Sequence, residues 1–197
     1  MKDYSQYGEQ DMILAALKAE GGYGSFLDIG AYHPTDKSNT RALFELGFAG
    51  VMIEAAPGPM RALLAEYGNE EQITLVQAAV GLEPGLLLMW VTDDAVSTSD
   101  AQEHERWKSR GGYLGKILVP TLTLPQISNQ FGGFTFISID TEGNSCELFL
   151  KALGLGWRPR CWCVEIDRGR EHEVMAAATK AGYTVQSTEA NFVMVQK

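Results

Sequence analysis

The chain has 197 residues, 45% of them hydrophobic, with 16 Lys plus Arg against 25 Asp plus Glu and a net charge of −9. That length fits one domain with a core of its own, and the acidic balance, without a basic run, argues against holding a nucleic-acid backbone. No apolar run reaches the ~18 residues of a membrane helix, and the polar, acidic start is unlike a signal peptide.

The first element is a helix with Met12, Ile13, Ala16 and Leu17 on one face, ending at Gly21-Gly22. A strand follows at 25–30, then a helix with Ala42, Leu43 and Leu46 inward, stopped by Gly47. The second strand, 50–54, runs into Pro57 and Pro59, good first-turn residues. Their helix presents Met60, Leu63, Leu64 and Tyr67 and ends at Gly68. A third strand covers 73–80. From there to about 123 the strand–helix rhythm breaks, with strands at 86–91 and 116–122 joined by a charged helix, 100–110, and the turn Gly111-Gly112. Trp107, Tyr113 and that turn read either as a lid over a sugar ring or as a solvated surface helix. The rhythm resumes with a strand at 134–140 and a helix carrying Cys146, Phe149, Leu150 and Leu153 at helical spacing. A strand at 161–166, a helix at 169–181 and an alternating hairpin at 182–186 and 191–195 complete the chain.

Cys161 and Cys163 fall inside a strand, and no second pair stands at zinc spacing, so both read as buried thiols. Three cysteines cannot complete a disulfide set, which suits a reducing, cytoplasmic setting. Trp90 and Trp162 read as core. The pattern is an α/β, doubly wound, Rossmann-like sheet of seven strands with a reversed last strand. It forms a single domain, 1–197, with a small β-rich insertion at about 82–122.

Ligands of such sheets bind beyond the carboxyl ends of the strands. The first turn, Asp28-Ile29-Gly30-Ala31-Tyr32-His33-Pro34, has one glycine where a pyrophosphate site wants three. A single glycine suffices for a flat ligand without phosphate, such as S-adenosylmethionine, whose cationic groups favour the Asp28 carboxylate. Glu54, ending the second strand, can accept from both hydroxyls of a ribose. Ala55 with Ala56, and Ala78 with Ala79, are small enough to wall an adenine.

These residues, in this order, resemble the FkbM-type methyltransferases, a class I S-adenosylmethionine-dependent family. The resemblance also runs through Ser5-Gln6-Tyr7-Gly8-Glu9-Gln10-Asp11, Ser38-Asn39-Thr40, Ile137-Ser138-Ile139-Asp140-Thr141-Glu142-Gly143, Val164-Glu165 and Asn191-Phe192-Val193. It implies O-methylation of a hydroxyl on a sugar, polysaccharide or related small acceptor. It further implies that Asp28, Gly30, Ala31 and Tyr32 line the cofactor and that Glu54 holds its ribose. Ser38 and Asn39 would lie at its methionine end, and Gln6 would fold over the pocket. Asn144-Ser145 after Gly143 departs from the family's usual His or aromatic, and 82–122 resembles it only loosely.

An alcohol acceptor must lose a proton, so a base near the transferred methyl is required. Asp140 is the first candidate, at the fourth strand's end and beside the cofactor; Glu142 and His33 follow. The structural alternatives are a helix cap for Asp140, a first-turn acid for Glu142, and a turn-bracing His33. Asp140, Glu142, His33 and Glu165 fix no metal geometry, so no metal is assigned. A non-catalytic cofactor-binding or scaffold protein, or a nicotinamide-dependent enzyme, are the competing functions, the latter opposed by the missing glycines.

Overall fold

A computed structural model of the chain describes residues 2–17, 24–92, 97, 99, 104–105, 113–141 and 143–197. Its centre is a seven-stranded sheet in the order β3-β2-β1-β7-β8-β10-β9. The runs of branched and apolar residues form β1 (Ser25–Ile29), β2 (Ala49–Glu54), β3 (Ile73–Gln77), β7 (Phe136–Ile139) and β8 (Cys161–Glu165). These five pair in parallel, while β10 (Asn191–Gln196) runs antiparallel to both β8 and β9 (Tyr183–Ser187). The reversed last strand is therefore present. Parallel strands read as nearly continuous apolar runs because helices cover both faces.

On one face lie α1 (Glu9–Leu17), α2 (Arg41–Glu45) and α3 (Pro57–Tyr67). They bury Ile13, Leu17, Leu43, Leu63 and Tyr67 against Phe26, Met52, Phe136 and Cys163. The other face carries α4 (Leu124–Phe131), α5 (Ser145–Gly154) and α6 (Glu171–Lys180). There Leu124, Ile127, Phe149, Leu153 and Val174 pack on Leu27, Ile53, Ile139, Trp162 and Val164. Trp162, Cys161 and Cys163 are buried as expected, and Cys146 is buried too.

Several expectations are corrected. The third strand does not run unbroken from 73 to 80. Gln77 is the last residue paired with β2, opposite Glu54, because β2 there turns into α3. The chain then changes partner, and β4 (Ala79–Gly81) joins β6 (Tyr113–Thr123) and β5 (Gly85–Thr92) in a separate sheet of order β4-β6-β5. Leu46 and Leu64 are exposed, and Phe48 fills the place expected of Leu46. Trp90 is half-buried rather than core and stacks on His104, with ring centroids 4.8 Å apart. The helix α4 was absent from the expectations. It is set by a capping box in which Thr123 and Gln126 satisfy each other, with Pro125 in the first turn. Trp107, Gly111-Gly112, most of the charged helix at 100–110 and the helix stop at Gly21-Gly22 lie outside the described residues.

Candidate functional site

Where β1 ends, the chain folds over the end of β2. The amides of Gly30 and Ala31 both donate to the Ile53 carbonyl, at 2.9 and 3.2 Å. Gly30 sits at φ +81, and a Cβ there would fall 1.6 Å from the backbone oxygen of Asp140. Only glycine lets β1 and β7 close at this point. Tyr32 then takes a positive φ of 49, and its amide donates to Glu54.

Glu54 is 7% exposed, and its two oxygens accept from the Tyr32 amide at 2.9 Å and the Ala56 amide at 2.6 Å. Burial pushes this carboxyl above its ordinary range, and the amides of Ala56, Tyr32 and Ala55 oppose that rise. Each carboxylate oxygen has two lone pairs. The Tyr32 and Ala56 amides take one on each and the Ala55 amide also faces the group, which leaves acceptor capacity for a ligand hydroxyl.

Asp28 stands one residue inside β1 rather than at its end, on the face covered by α2. Thr40 donates to it at 2.6 Å through its hydroxyl. Burial pushes Asp28 up to about 6, against the hydrogen bonds from Thr40 and Ser138 and with the nearby charge of Glu54. Ser138 lies opposite it in register on β7 and accepts from the Asn39 amide nitrogen at 3.3 Å. Ser38 starts α2 by accepting from the Arg41 amide at 3.1 Å, and its own amide donates to the Tyr4 carbonyl at 2.9 Å.

That last bond lays the first residues of the chain along the site. Tyr4 also donates its phenol to Glu45 at 2.7 Å and its amide to the Gln10 side chain at 3.0 Å. At the start of α1, buried Glu9 accepts from Thr188, Asn191 and the Tyr7 amide. Burial alone would raise Glu9, but these hydrogen bonds outweigh it and hold the carboxyl below its ordinary value. The segment that carries Gln6 is thus tied to both α2 and the β9–β10 hairpin.

On the far side, Asp140 and Glu165 stand at the carboxyl ends of β7 and β8. Ser145, fully buried at the start of α5, donates to Glu165 at 2.9 Å and accepts from the Thr141 amide at 2.9 Å. The Cys163 thiol is raised well above its usual value, first by burial and then by Glu9, Cys161, Asp140 and Asp28.

All of these strand ends open into one cavity of about 330 Å³. Gln6, Asp28, Gly30, Ala31, Tyr32, Ser38, Asn39, Glu54, Ala55, Ala78, Ala79 and Asp140, the twelve expected cofactor residues, all border it. Of the candidate bases, Asp140 is on its wall. His33 is not among the lining residues, and its Nδ1 accepts from the amides of Thr35 and Asp36 at 3.2 and 3.0 Å, bracing its own turn. Glu142 lies outside the described residues. Lys37, Ser138 and Ala190 border the cavity without having been expected there, as do Leu87, Met89, Ser97 and Ser99 from the irregular middle of the chain, while Thr141 and Asn144 belong to a strand end expected to face a ligand. Glu165, at a strand end where a ligand was expected and weighed also as a metal ligand, is on the wall as well. Among the described residues, no group of three His, Cys, Asp or Glu is assembled to hold a metal, and no helix is long and apolar enough to cross a membrane.

Residues 28–185 match the family described as the methyltransferase FkbM domain. No curated protein matches the chain in sequence. Among solved structures, the chain is similar to a methyltransferase FkbM from Methylobacillus flagellatus, with a TM-score of 0.56 and 13% identity over 88% of this chain. The chain spans 44% of that protein's length. It is also similar to a precorrin-6y methyltransferase from Geobacter metallireducens, with a TM-score of 0.53 and 11% identity, covering 100% of this chain and 92% of that one. At such identities the likeness is one of fold.

Proposed function

The chain belongs to the methyltransferase FkbM domain family, and on that premise we propose that it is an S-adenosylmethionine-dependent O-methyltransferase acting on a hydroxyl of a sugar, polysaccharide or related small acceptor. The observation that carries this reading is the meeting of the Gly30 turn, the amide-held Glu54 carboxylate and Asp140 around one cavity.

The donor set fits S-adenosylmethionine. The volume lies at the lower end of the ~300–1,000 Å³ usual for small-ligand pockets. Glu54 keeps acceptor capacity for a ribose hydroxyl. Ala55, Ala78 and Ala79 offer a wall without bulk for an adenine. Asp28 is a carboxyl whose burial disfavours its charge, and a cation nearby restores the charged form. Bound here, S-adenosylmethionine supplies a methyl group activated by its sulfonium.

The protein's share is orientation and proton removal. Holding nucleophile and methyl in line is worth up to ~7–11 kcal/mol of the barrier. Asp140, at the cavity wall beside the Gly30 turn, is the base that takes the acceptor's hydroxyl proton, a contribution of about 10²–10⁴ in rate. Gln6 and the segment around Tyr4 close the cavity from the side and exclude water. The buried, unpaired thiols agree with a cytoplasmic setting.

Calorimetry tests the reading directly. The protein should bind S-adenosylmethionine and not NAD, and Glu54→Ala should weaken that binding by about 1–3 kcal/mol, the scale of leaving polar groups unpaired. Unchanged affinity in the variant, or preference for NAD, overturns it.

A further inference from the structure

Taking the methyl-transfer reading as its ground, we infer that Glu165 selects the acceptor: it grips a second hydroxyl beside the one being methylated and turns away acceptors that carry negative charge. The inference starts from register. Ser138 pairs with Cys163 and Ile139 with Val164 in the parallel β7–β8 ladder. Side chains alternate along each strand, so Asp140 and Glu165, each two residues further on, emerge on the same face as Ser138 and Cys163. Neighbouring strands lie about 4.7–4.9 Å apart. Two acids on neighbouring strand ends, both bordering the cavity, suit two neighbouring hydroxyls of one polyol.

Glu165 is also held for this purpose. The Ser145 hydroxyl, fully buried, donates to one of its oxygens and is itself oriented by the Thr141 amide at 2.9 Å. A carboxylate fixed in this way keeps its direction, so a hydroxyl meets a prearranged acceptor rather than a swinging side chain. Charge points the same way. Among the described residues, four carboxyl side chains border the cavity, Asp28, Glu54, Asp140 and Glu165, against one cation, Lys37, on a chain of net charge −9. A phosphate or carboxylate on the acceptor would enter a field of its own sign.

The test uses the full chain saturated with S-adenosylhomocysteine, with binding of three probes read by saturation-transfer NMR: methyl glucoside, methyl glucuronoside and glucose 1-phosphate. The neutral glycoside should bind, and the two anions should bind about tenfold more weakly or worse. Glu165→Gln should weaken the neutral probe and narrow the gap to the anions, with S-adenosylhomocysteine affinity by calorimetry unchanged. Ser145→Ala, which loosens the carboxylate without neutralising it, should weaken the neutral probe but leave the anions excluded. Equal binding of anions to the parent protein, binding of none of the probes, or a Glu165→Gln profile identical to the parent's overturns the inference. Failure to bind S-adenosylhomocysteine at all is a different result: it removes the methyl-transfer reading and this one with it.

Discussion

The two halves of the cavity are built by different means. Around Gly30 and Glu54, backbone does the holding: the amides of Gly30, Ala31, Tyr32 and Ala56 fix the turn and the carboxylate. Around Asp140 and Glu165, a side chain braces a side chain, as the Ser145 hydroxyl does Glu165. A backbone-built half tolerates little change of residue but suits one invariant ligand. A half built from side chains can be re-cut for a new acceptor while the first half stays as it is.

If that division is right, damage to each half should appear in a different measurement. The largest effect is expected from Asp140→Asn, which keeps the shape but removes the base. Turnover, followed with labelled S-adenosylmethionine on a glycan the parent protein methylates, should fall by about 10²–10⁴. The melting temperature should stay near that of the parent. Parental turnover would remove Asp140 as the base and return the role to Glu142.

Gly30→Ala attacks the other half. The added Cβ meets the Asp140 backbone oxygen at 1.6 Å, and the residue must also hold φ +81. Backbone cannot swing aside as a side chain does, so the strain should reach about 3 kcal/mol. Denaturant unfolding should show that loss, and cofactor binding should fall with it. A variant as stable as the parent would mean that the strand ends part without penalty.

How much of each half could be read beforehand follows from the same contrast. Asp28, Gly30 and Glu54 were legible because a strand-end glycine and strand-borne acids are local signals with known chemistry. The parallel sheet and its reversed strand were legible because the runs from Ser25 to Val195 alternate in type. Ser138 gave no such signal: in the chain it is one polar residue in an apolar run, and only its register opposite Asp28 brings it to the site. Leu87, Met89, Ser97 and Ser99 arrive from a segment whose pairing depends on β6, far along the chain. The break between β3 and β4 was hidden for a related reason, since an apolar run does not record which strand it pairs with. His33 was legible as polar and well placed, but its ring is spent on its own turn.

A third effect concerns pH and belongs to the floor of the cavity. Asp28 ionises near 3.8 in an unfolded chain and near 6 when folded. Between those values the folded state keeps a proton that the unfolded state has lost, so this group's contribution falls as pH rises through the window. Glu54, also raised, adds a slope of the same sign, whereas Glu9 and Glu45, both lowered, oppose it. Comparing Asp28→Asn with the parent isolates the one group. Urea unfolding should show the difference between them changing by about 1 kcal/mol per pH unit between pH 4 and 6. A constant difference would mean that Asp28 titrates normally in the fold.

The smallest effect tests whether the first residues of the chain belong to the cavity or only lie near it. Tyr4 donates its phenol to Glu45 of α2 and accepts, through its carbonyl, from the Ser38 amide just before that helix. Tyr4→Phe removes the first link and leaves the second. Glu45 keeps its partner Arg41 at 2.9 Å, so the helix itself loses little. What loosens is the segment bearing Gln6, which borders the cavity from the side. S-adenosylmethionine should therefore dissociate about two- to fivefold faster, the scale of one lost hydrogen bond near the surface. The melting temperature of the free protein should hardly move, because the phenol is bonded at the surface and buries nothing. Equal dissociation rates would assign the segment to the scaffold, and the side-chain half of the cavity would then end at Asp140 and Glu165.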